Sequence, residues 1–144
     1  MTGVLLDTHA LIWLYDPVPM SVDALLAVEG AALSNSLHVS PMSAWELGAA
    51  SRKKNPVLRP KLRGLNPEDW FVEATSALGA ISTPISEAIG LAACALPLLY
   101  GYSDPGDCFL MATAHVHEFT FITRDQRILD FARRCPDYLK VVSC

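Results

Sequence analysis

Four acidic residues, Asp7, Glu46, Asp107 and Asp125, hold positions where a carboxylate could do chemistry. Asp7 follows the apolar run Val4-Leu5-Leu6 and precedes a second one, Ala10 to Tyr15. Asp125 comes just after the short apolar run Thr120 to Ile122 and opens a helix-forming segment. A carboxylate between a strand and a helix lies at the sheet edge where α/β folds bind ligands. Glu46 belongs to the segment Met42-Ser-Ala-Trp-Glu-Leu-Gly, and its neighbours three and four residues away, Met42, Ser43, Ala49 and Ala50, include no cation. Unpaired, such a carboxylate is costly to bury. Carboxylates gathered without matching cations repel one another and hold their protons more tightly. A hard divalent cation relieves that conflict, and oxygen-only ligation favours Mg²⁺ or Mn²⁺ over zinc. The matching chemistry is attack of an activated water on a phosphodiester.

Each acid also has a structural alternative. Asp104 before Pro105 is a helix cap, and Asp107 three residues later completes a capping-box spacing. Asp125 can serve a helix dipole, and Glu46 can be a helix former facing water.

The elements that must position these acids alternate. The pattern predicts a strand at Val4 to Leu6, a helix from Thr8 to Tyr15 stopped by Asp16-Pro17, and a helix from Val22 to about Glu29, capped by Ser21 and closed by Gly30. A strand at Leu37 to Ser40 leads into a helix begun by Pro41 and running from Met42 through Lys54. Asn66 caps a helix from Pro67 to Leu78, Ala80 to Thr83 is a weak strand, and Ser86 caps a helix ended by Pro97. Leu98 to Ser103 reads as a loop. A helix from Asp104 to His117, a strand at Thr120 to Ile122, a helix to Arg133 and a strand at Leu139 to Val142 complete the series. Such alternation implies a parallel sheet covered by helices on both faces. Strands of that sheet end on one edge, which brings Asp7 and Asp125 together.

The 144 residues suit a single domain over residues 1–144, and 51% hydrophobic against 18% charged residues excludes a disordered chain. No apolar run approaches a membrane span, and the N-terminus has no basic region of the kind that opens a signal peptide. The expected location is the cytoplasm, with Cys94, Cys108, Cys135 and Cys144 as reduced thiols, since no zinc spacing links them. The net charge of −4 argues against wholesale coating of nucleic acid. The basic residues are nevertheless clustered. Arg52, Lys53, Lys54, Arg59, Lys61 and Arg63 make up six of the 11, either to hold phosphates or as a solvated loop.

The segments LLDTHALIW, SAWELG, DPGDCFLMATA and FITRDQRILDF, in that order, resemble the signature segments of PIN-domain ribonucleases, and most of all VapC-type toxins of toxin–antitoxin pairs. The similarity spans nearly the whole chain. It implies a PIN-like three-layer α/β/α sandwich around a mainly parallel sheet of four to five strands. It also implies hydrolysis of RNA to a 5′-phosphate and a 3′-hydroxyl, with Mg²⁺ or Mn²⁺ as cofactor. Asp7, Glu46 and Asp107 become the core metal ligands and Asp125 the fourth acid, with Asp107 or Asp125 orienting the attacking water. Thr123 matches a hydroxyl beside the fourth acid; with Thr8, Arg52, Lys53 and Lys54 it is a candidate substrate contact. Partners implied are RNA, a second copy in a homodimer, and a cognate VapB-type antitoxin laid against the Leu11, Trp13 and Leu14 region. Many relatives carry Arg directly after the third acid, where this chain has Cys108.

Two other readings compete. A PIN-like module that only binds RNA or protein would keep the fold without the chemistry. An aspartyl phosphatase would want a second acid two residues after Asp7, where this chain has His9.

Overall fold

The computed structural model describes residues 2–16 and 18–144; Pro17, read above as part of a helix stop, lies outside the described residues. Its centre is β1 (Val4–Leu6), flanked by β2 (Leu37–Val39) and β4 (Thr120–Thr123). With β3 (Ile81–Ser82) and β5 (Lys140–Ser143) at the edges, the sheet has five strands in the order β3-β2-β1-β4-β5, all parallel. β1 is three residues long and wholly buried, as a continuous apolar run between two helical layers must be.

Alternation along β1 divides the core. Val4 and Leu6 join Leu37, Val39 and Ile122 on one face, against α1 (Thr8–Tyr15), α2 (Val22–Leu33) and α4 (Pro67–Leu78). Leu5 and Phe121 face the other way, onto α5 (Glu87–Tyr100), α6 (Pro105–His117) and α7 (Gln126–Arg134). α3 (Pro41–Ser51) touches both α4 and α6, with Leu47 in the first core and Met42 against the second. The result is the three-layer sandwich the sequence predicts.

The chain leaves β1 toward β2 on one side and returns as β4 on the other. That reversal is a topological switch point, where a crevice opens at the carboxyl ends of the strands. The register pairs Leu6 with Ile122, so Asp7 and the end of β4 emerge side by side.

Several boundaries differ from the expected ones. α2 runs through Gly30 to Leu33, because Ala31 is fully buried and the Ser34 hydroxyl donates to the carbonyls of Gly30 and Ala31. α5 runs through Pro97 to Tyr100. The proline removes a helical hydrogen bond, but Leu96 is fully buried and Tyr100 packs edge-on against Phe131, which holds the last turn in place. That helix ends instead at Gly101, whose φ of 69° suits a residue without Cβ. α3 ends at Ser51, leaving Arg52, Lys53 and Lys54 beyond its last turn. The rest of the basic segment forms two short 3₁₀ turns, at Pro56–Leu58 and Leu62–Gly64. There Arg63 is fixed by Asp16 at 3.0 Å and by the Tyr15 ring and carbonyl, so it serves structure. No helix among the described residues is long and apolar enough to cross a membrane.

Candidate active site

A cavity of about 370 Å³ opens at the switch point, lined by Asp7, His9, Trp13, Glu46, Asp104, Asp107, Arg124, Asp125 and Arg127. All four predicted acids meet there, together with Asp104, which the sequence marks as a helix cap.

Asp7 leaves β1 almost buried, with 8% of its surface exposed. Its Oδ1 accepts from the Thr8 backbone N–H at 2.7 Å and its Oδ2 from the Thr123 hydroxyl at 2.7 Å. Burial raises its pKa, and the bonds from Thr123 and Thr8 oppose that rise. Glu46 reaches in from α3, where Oε1 accepts from the Thr8 hydroxyl at 2.6 Å. Thr8 has one hydroxyl hydrogen, directed at Glu46, so the 2.9 Å contact with Ser43 is a bond that Ser43 donates. Burial pushes Glu46 up to about 7; the Thr8 bond works against this, while Asp7, Asp107 and Asp104 add to it. Among the described residues neither Asp7 nor Glu46 has an ion-pair partner.

Asp104 caps α6 by accepting from the Asp107 N–H at 3.0 Å. The cap leaves the Asp107 carboxylate free to accept from the Tyr102 hydroxyl at 2.7 Å. Burial and the nearby carboxylates hold Asp107 at about 6, against the Tyr102 bond, and raise the Tyr102 hydroxyl well above its ordinary value. Asp125 behaves differently. It caps α7 through the Arg127 N–H at 2.9 Å and pairs with the Arg127 guanidinium at 3.2 Å. Burial would raise Asp125, but the Arg127 hydrogen bonds and charge win and hold it below the usual carboxylate range. The same guanidinium reaches Asp107 at 3.4 Å, a long contact from a side chain 66% exposed. Arg127 is thus a solvent-exposed counter-charge at the rim rather than a buried lock.

The other cations of the rim are fixed or distant. Arg124 donates to the carbonyls of Cys144 and Pro19 and lies 4.0 Å from the Trp13 ring centre. Lys53 lines an adjoining cavity of about 250 Å³ that also contains Thr8, His9 and Glu46. Arg52, just past the end of α3, lies over Trp45, and Lys54 is exposed beyond it. The hydroxyls of Thr8 and Thr123, weighed above as substrate contacts, are committed to Glu46 and Asp7, where they orient carboxylates. Leu11, included above in the antitoxin-facing region, is fully buried; Trp13 and Leu14 instead line an open apolar cleft with Val18, Pro19, Met20 and Leu25.

Sequence reasoning missed four contributors. Ser43 and Tyr102 are ordinary in sequence and gain meaning only when the fold brings α3 and the α5–α6 loop to Asp7. Arg127 looks like a surface helix residue. Gly106 is the fourth: a Cβ there would lie 2.7 Å from Glu46 Oε2, so glycine makes room for the carboxylate. The Pro-Gly-Asp run could have signalled this close approach. Cys108 faces the core and donates its thiol to the Tyr102 carbonyl at 3.2 Å. It therefore supports the loop that carries Tyr102 rather than the pocket.

Can this donor set hold a metal? Among the described residues no three of the acids stand close enough to enclose an ion together. Mg²⁺ asks for less, since it binds through one or two carboxylates and keeps several waters. The oxygen-only donors and the carboxylates at elevated pKa, with two lacking any cation, fit that mode.

A profile of the PIN domain matches residues 4–134, so the chain belongs to the PIN-domain family. It is 30% identical over 130 residues to ribonuclease VapC22 of Mycobacterium tuberculosis, an overlap covering 89% of this chain and 91% of that protein. Among solved structures it is similar to a toxin–antitoxin complex from Klebsiella pneumoniae, at 25% identity and a TM-score of 0.63 over 97% of this chain and 96% of that one. VapBC2 of Rickettsia felis bound to a promoter DNA fragment shares the fold at 15% identity and a TM-score of 0.66, over 99% and 98% of the two chains.

Two expectations follow from the geometry. A carboxyl whose folded pKa exceeds its unfolded value favours folding only while it is protonated. For Glu46 and Asp107, at about 7 and about 6 in the fold against ordinary values of 4.5 and 3.8, that contribution is complete at acid pH and lost as pH rises through those folded values. In chelator, Tm should therefore fall between about pH 5 and pH 7.5, by about 2–4 °C for each kcal/mol lost. Glu46→Gln should flatten part of that slope, which thermal melts across pH will show. Gly106→Ala should fold normally, since alanine suits a helix better by about 1 kcal/mol. A structure of that variant should show the Glu46 carboxylate displaced; an unmoved carboxylate contradicts the packing argument.

Proposed function

We propose that this chain is a Mg²⁺- or Mn²⁺-dependent endoribonuclease acting as the toxin of a toxin–antitoxin pair. The observation that carries the reading is the convergence of Asp7, Glu46, Asp104 and Asp107 at the switch point with too little positive charge to balance them. The naming of VapC22 as a ribonuclease and the Klebsiella pneumoniae complex as toxin and antitoxin support it. Asp7, Glu46 and Asp107 are the metal-site acids, one or two of them bonding the ion directly and the rest holding it through its waters, with Asp125 as a fourth, outer acid. When bound, the ion supplies charge neutralisation at the scissile phosphate and eases ionisation of the attacking water.

The residues of the chain supply the rest. Thr8 and Thr123 aim Asp7 and Glu46 inward, and Ser43 fixes the Thr8 hydroxyl so that only one hydrogen-bond pattern is available. Tyr102 leaves one oxygen of Asp107 free for the pocket while holding the other. Asp107 or Asp125 orients the attacking water through a carboxylate oxygen and can take up its proton. Arg127, exposed and only loosely held to Asp107, can turn from the acids toward the incoming phosphate.

The antitoxin has a place to dock. The apolar cleft of Trp13, Leu14, Val18, Pro19, Met20 and Leu25 adjoins the acid pocket through Trp13, which lines both. An apolar helix or strand laid there would carry a basic side chain into the carboxylates and neutralise them in the ion's place.

The test is cleavage of single-stranded RNA with and without Mn²⁺. Wild type should cleave only with the ion, Asp7→Asn should lose all measurable activity, and Thr123→Val should weaken Mn²⁺ binding by about 10–100-fold, the usual cost of removing a group that orients a ligand. Equal cleavage by wild type and Asp7→Asn would mean a contaminating nuclease and a silent binding module.

A further inference from the structure

Trp45 stands immediately before Glu46 yet remains 62% exposed, an unusual state for an indole on a packed helix. On α3 the two residues head separate faces. Glu46, Ala50 and Lys53 border the cavity of about 250 Å³ that contains Thr8 and His9 of the acidic site. Trp45, Gly48 and Arg52 border a second cavity of about 410 Å³. Ala49 lines both, so the two cavities meet over a small side chain. Nothing lies within 4 Å of where a Cβ would stand at Gly48, which leaves the floor beside the ring open. The Arg52 guanidinium sits 5.4 Å from the Trp45 ring centre.

We propose that Trp45 and Arg52 form a nucleobase-binding subsite for the single-stranded RNA that the acidic pocket cleaves. The proposal rests on the nuclease reading above. The occupant follows from shape and charge together. A planar base stacks on the exposed indole with the Arg52 guanidinium beside it, since both groups stack on any base face. The strand carrying that base is anionic and must pass an acidic pocket, so it needs cations on its path, and Lys53 lines the cavity it shares with Glu46, beside the one that holds the indole. Lys54 and Arg52 extend the positive charge outward, with Glu68 the single acid on the wall of the cavity among the described residues. The other apolar side chains on that wall are small or proline, which gives a protein partner little to bury beyond the one ring.

The scissile phosphate then sits at the carboxylates, Lys53 meets a neighbouring phosphate, and a base one or two nucleotides away stacks on Trp45. The subsite fixes which strand register reaches the acids, so it governs binding rather than the chemical step.

The experiment measures cleavage of a short single-stranded oligoribonucleotide with Mn²⁺ by wild type, Trp45→Ala, Trp45→Phe and Arg52→Ala. Trp45→Ala should raise KM about tenfold with kcat little changed, the scale expected for loss of one stacked base. Trp45→Phe should recover most of it. With wild type, one abasic position in the substrate should raise KM to the same degree, and that position should make no difference to Trp45→Ala. In parallel, fluorescence anisotropy with Asp7→Asn and Asp7→Asn/Trp45→Ala reads binding without cleavage and should show the same tenfold gap. Equal affinity of those two proteins, or an abasic penalty unchanged by Trp45→Ala, overturns the subsite. So does an unchanged KM combined with loss of a dimer in Trp45→Ala by sedimentation, which would make the ring a protein contact. If wild type cleaves no RNA while the anisotropy gap remains, the subsite stands and the nuclease reading falls.

Discussion

Like charge held close is the constraint on which this structure depends. Asp7, Glu46, Asp104 and Asp107 reach one crevice, and burial there makes the ionised carboxylates of Asp7, Glu46 and Asp107 harder to maintain. In water such groups would drift apart. Here the central parallel sheet and the helices on it leave them no other direction, because β1 and β4 end at the same edge and α3 and α6 pack against it. The fold thus stores an electrostatic demand that a cation can satisfy.

Neutral hydroxyls, more than charges, keep the arrangement in place. Ser43, Thr8, Thr123 and Tyr102 each direct a hydrogen toward the acids or toward one another. A hydroxyl orients a carboxylate without cancelling its charge, whereas a lysine in the same place would cancel the negative field of the pocket. Arg127 marks the boundary of this rule. It neutralises Asp125 at the rim, reaches Asp107 only at 3.4 Å, and leaves Asp7 and Glu46 alone. The pocket is therefore graded, with a compensated outer acid and an uncompensated inner set.

The fold was largely legible from the chain because its strands are short apolar runs with helix caps beside them. Asp7 after Leu6 and Asp125 after Thr123 announce the sheet edge by position alone. Helix ends were less legible where tertiary contact overrides local preference: Pro97 reads as a stop, yet buried Leu96 and the Tyr100 contact with Phe131 carry α5 past it. The acids of the site could be named because carboxylates without nearby cations are conspicuous in a sequence. Their supports could not. Gly106 matters only because Glu46, sixty positions earlier, comes within 2.7 Å of its missing Cβ, a distance no local pattern encodes. The basic segment illustrates the opposite failure: six cations look alike in sequence, yet Arg63 braces Asp16 and Tyr15 while Lys53 borders Glu46.

The most direct measurement is the titration of the Glu46 carboxyl by NMR of side-chain carbon, in chelator and then with saturating Mg²⁺. Without the ion the carboxyl should titrate near 7, and with it the midpoint should fall to or below the ordinary value of 4.5. A midpoint already ordinary in chelator, or one that Mg²⁺ does not move, would contradict the view that these acids are gathered for a divalent cation.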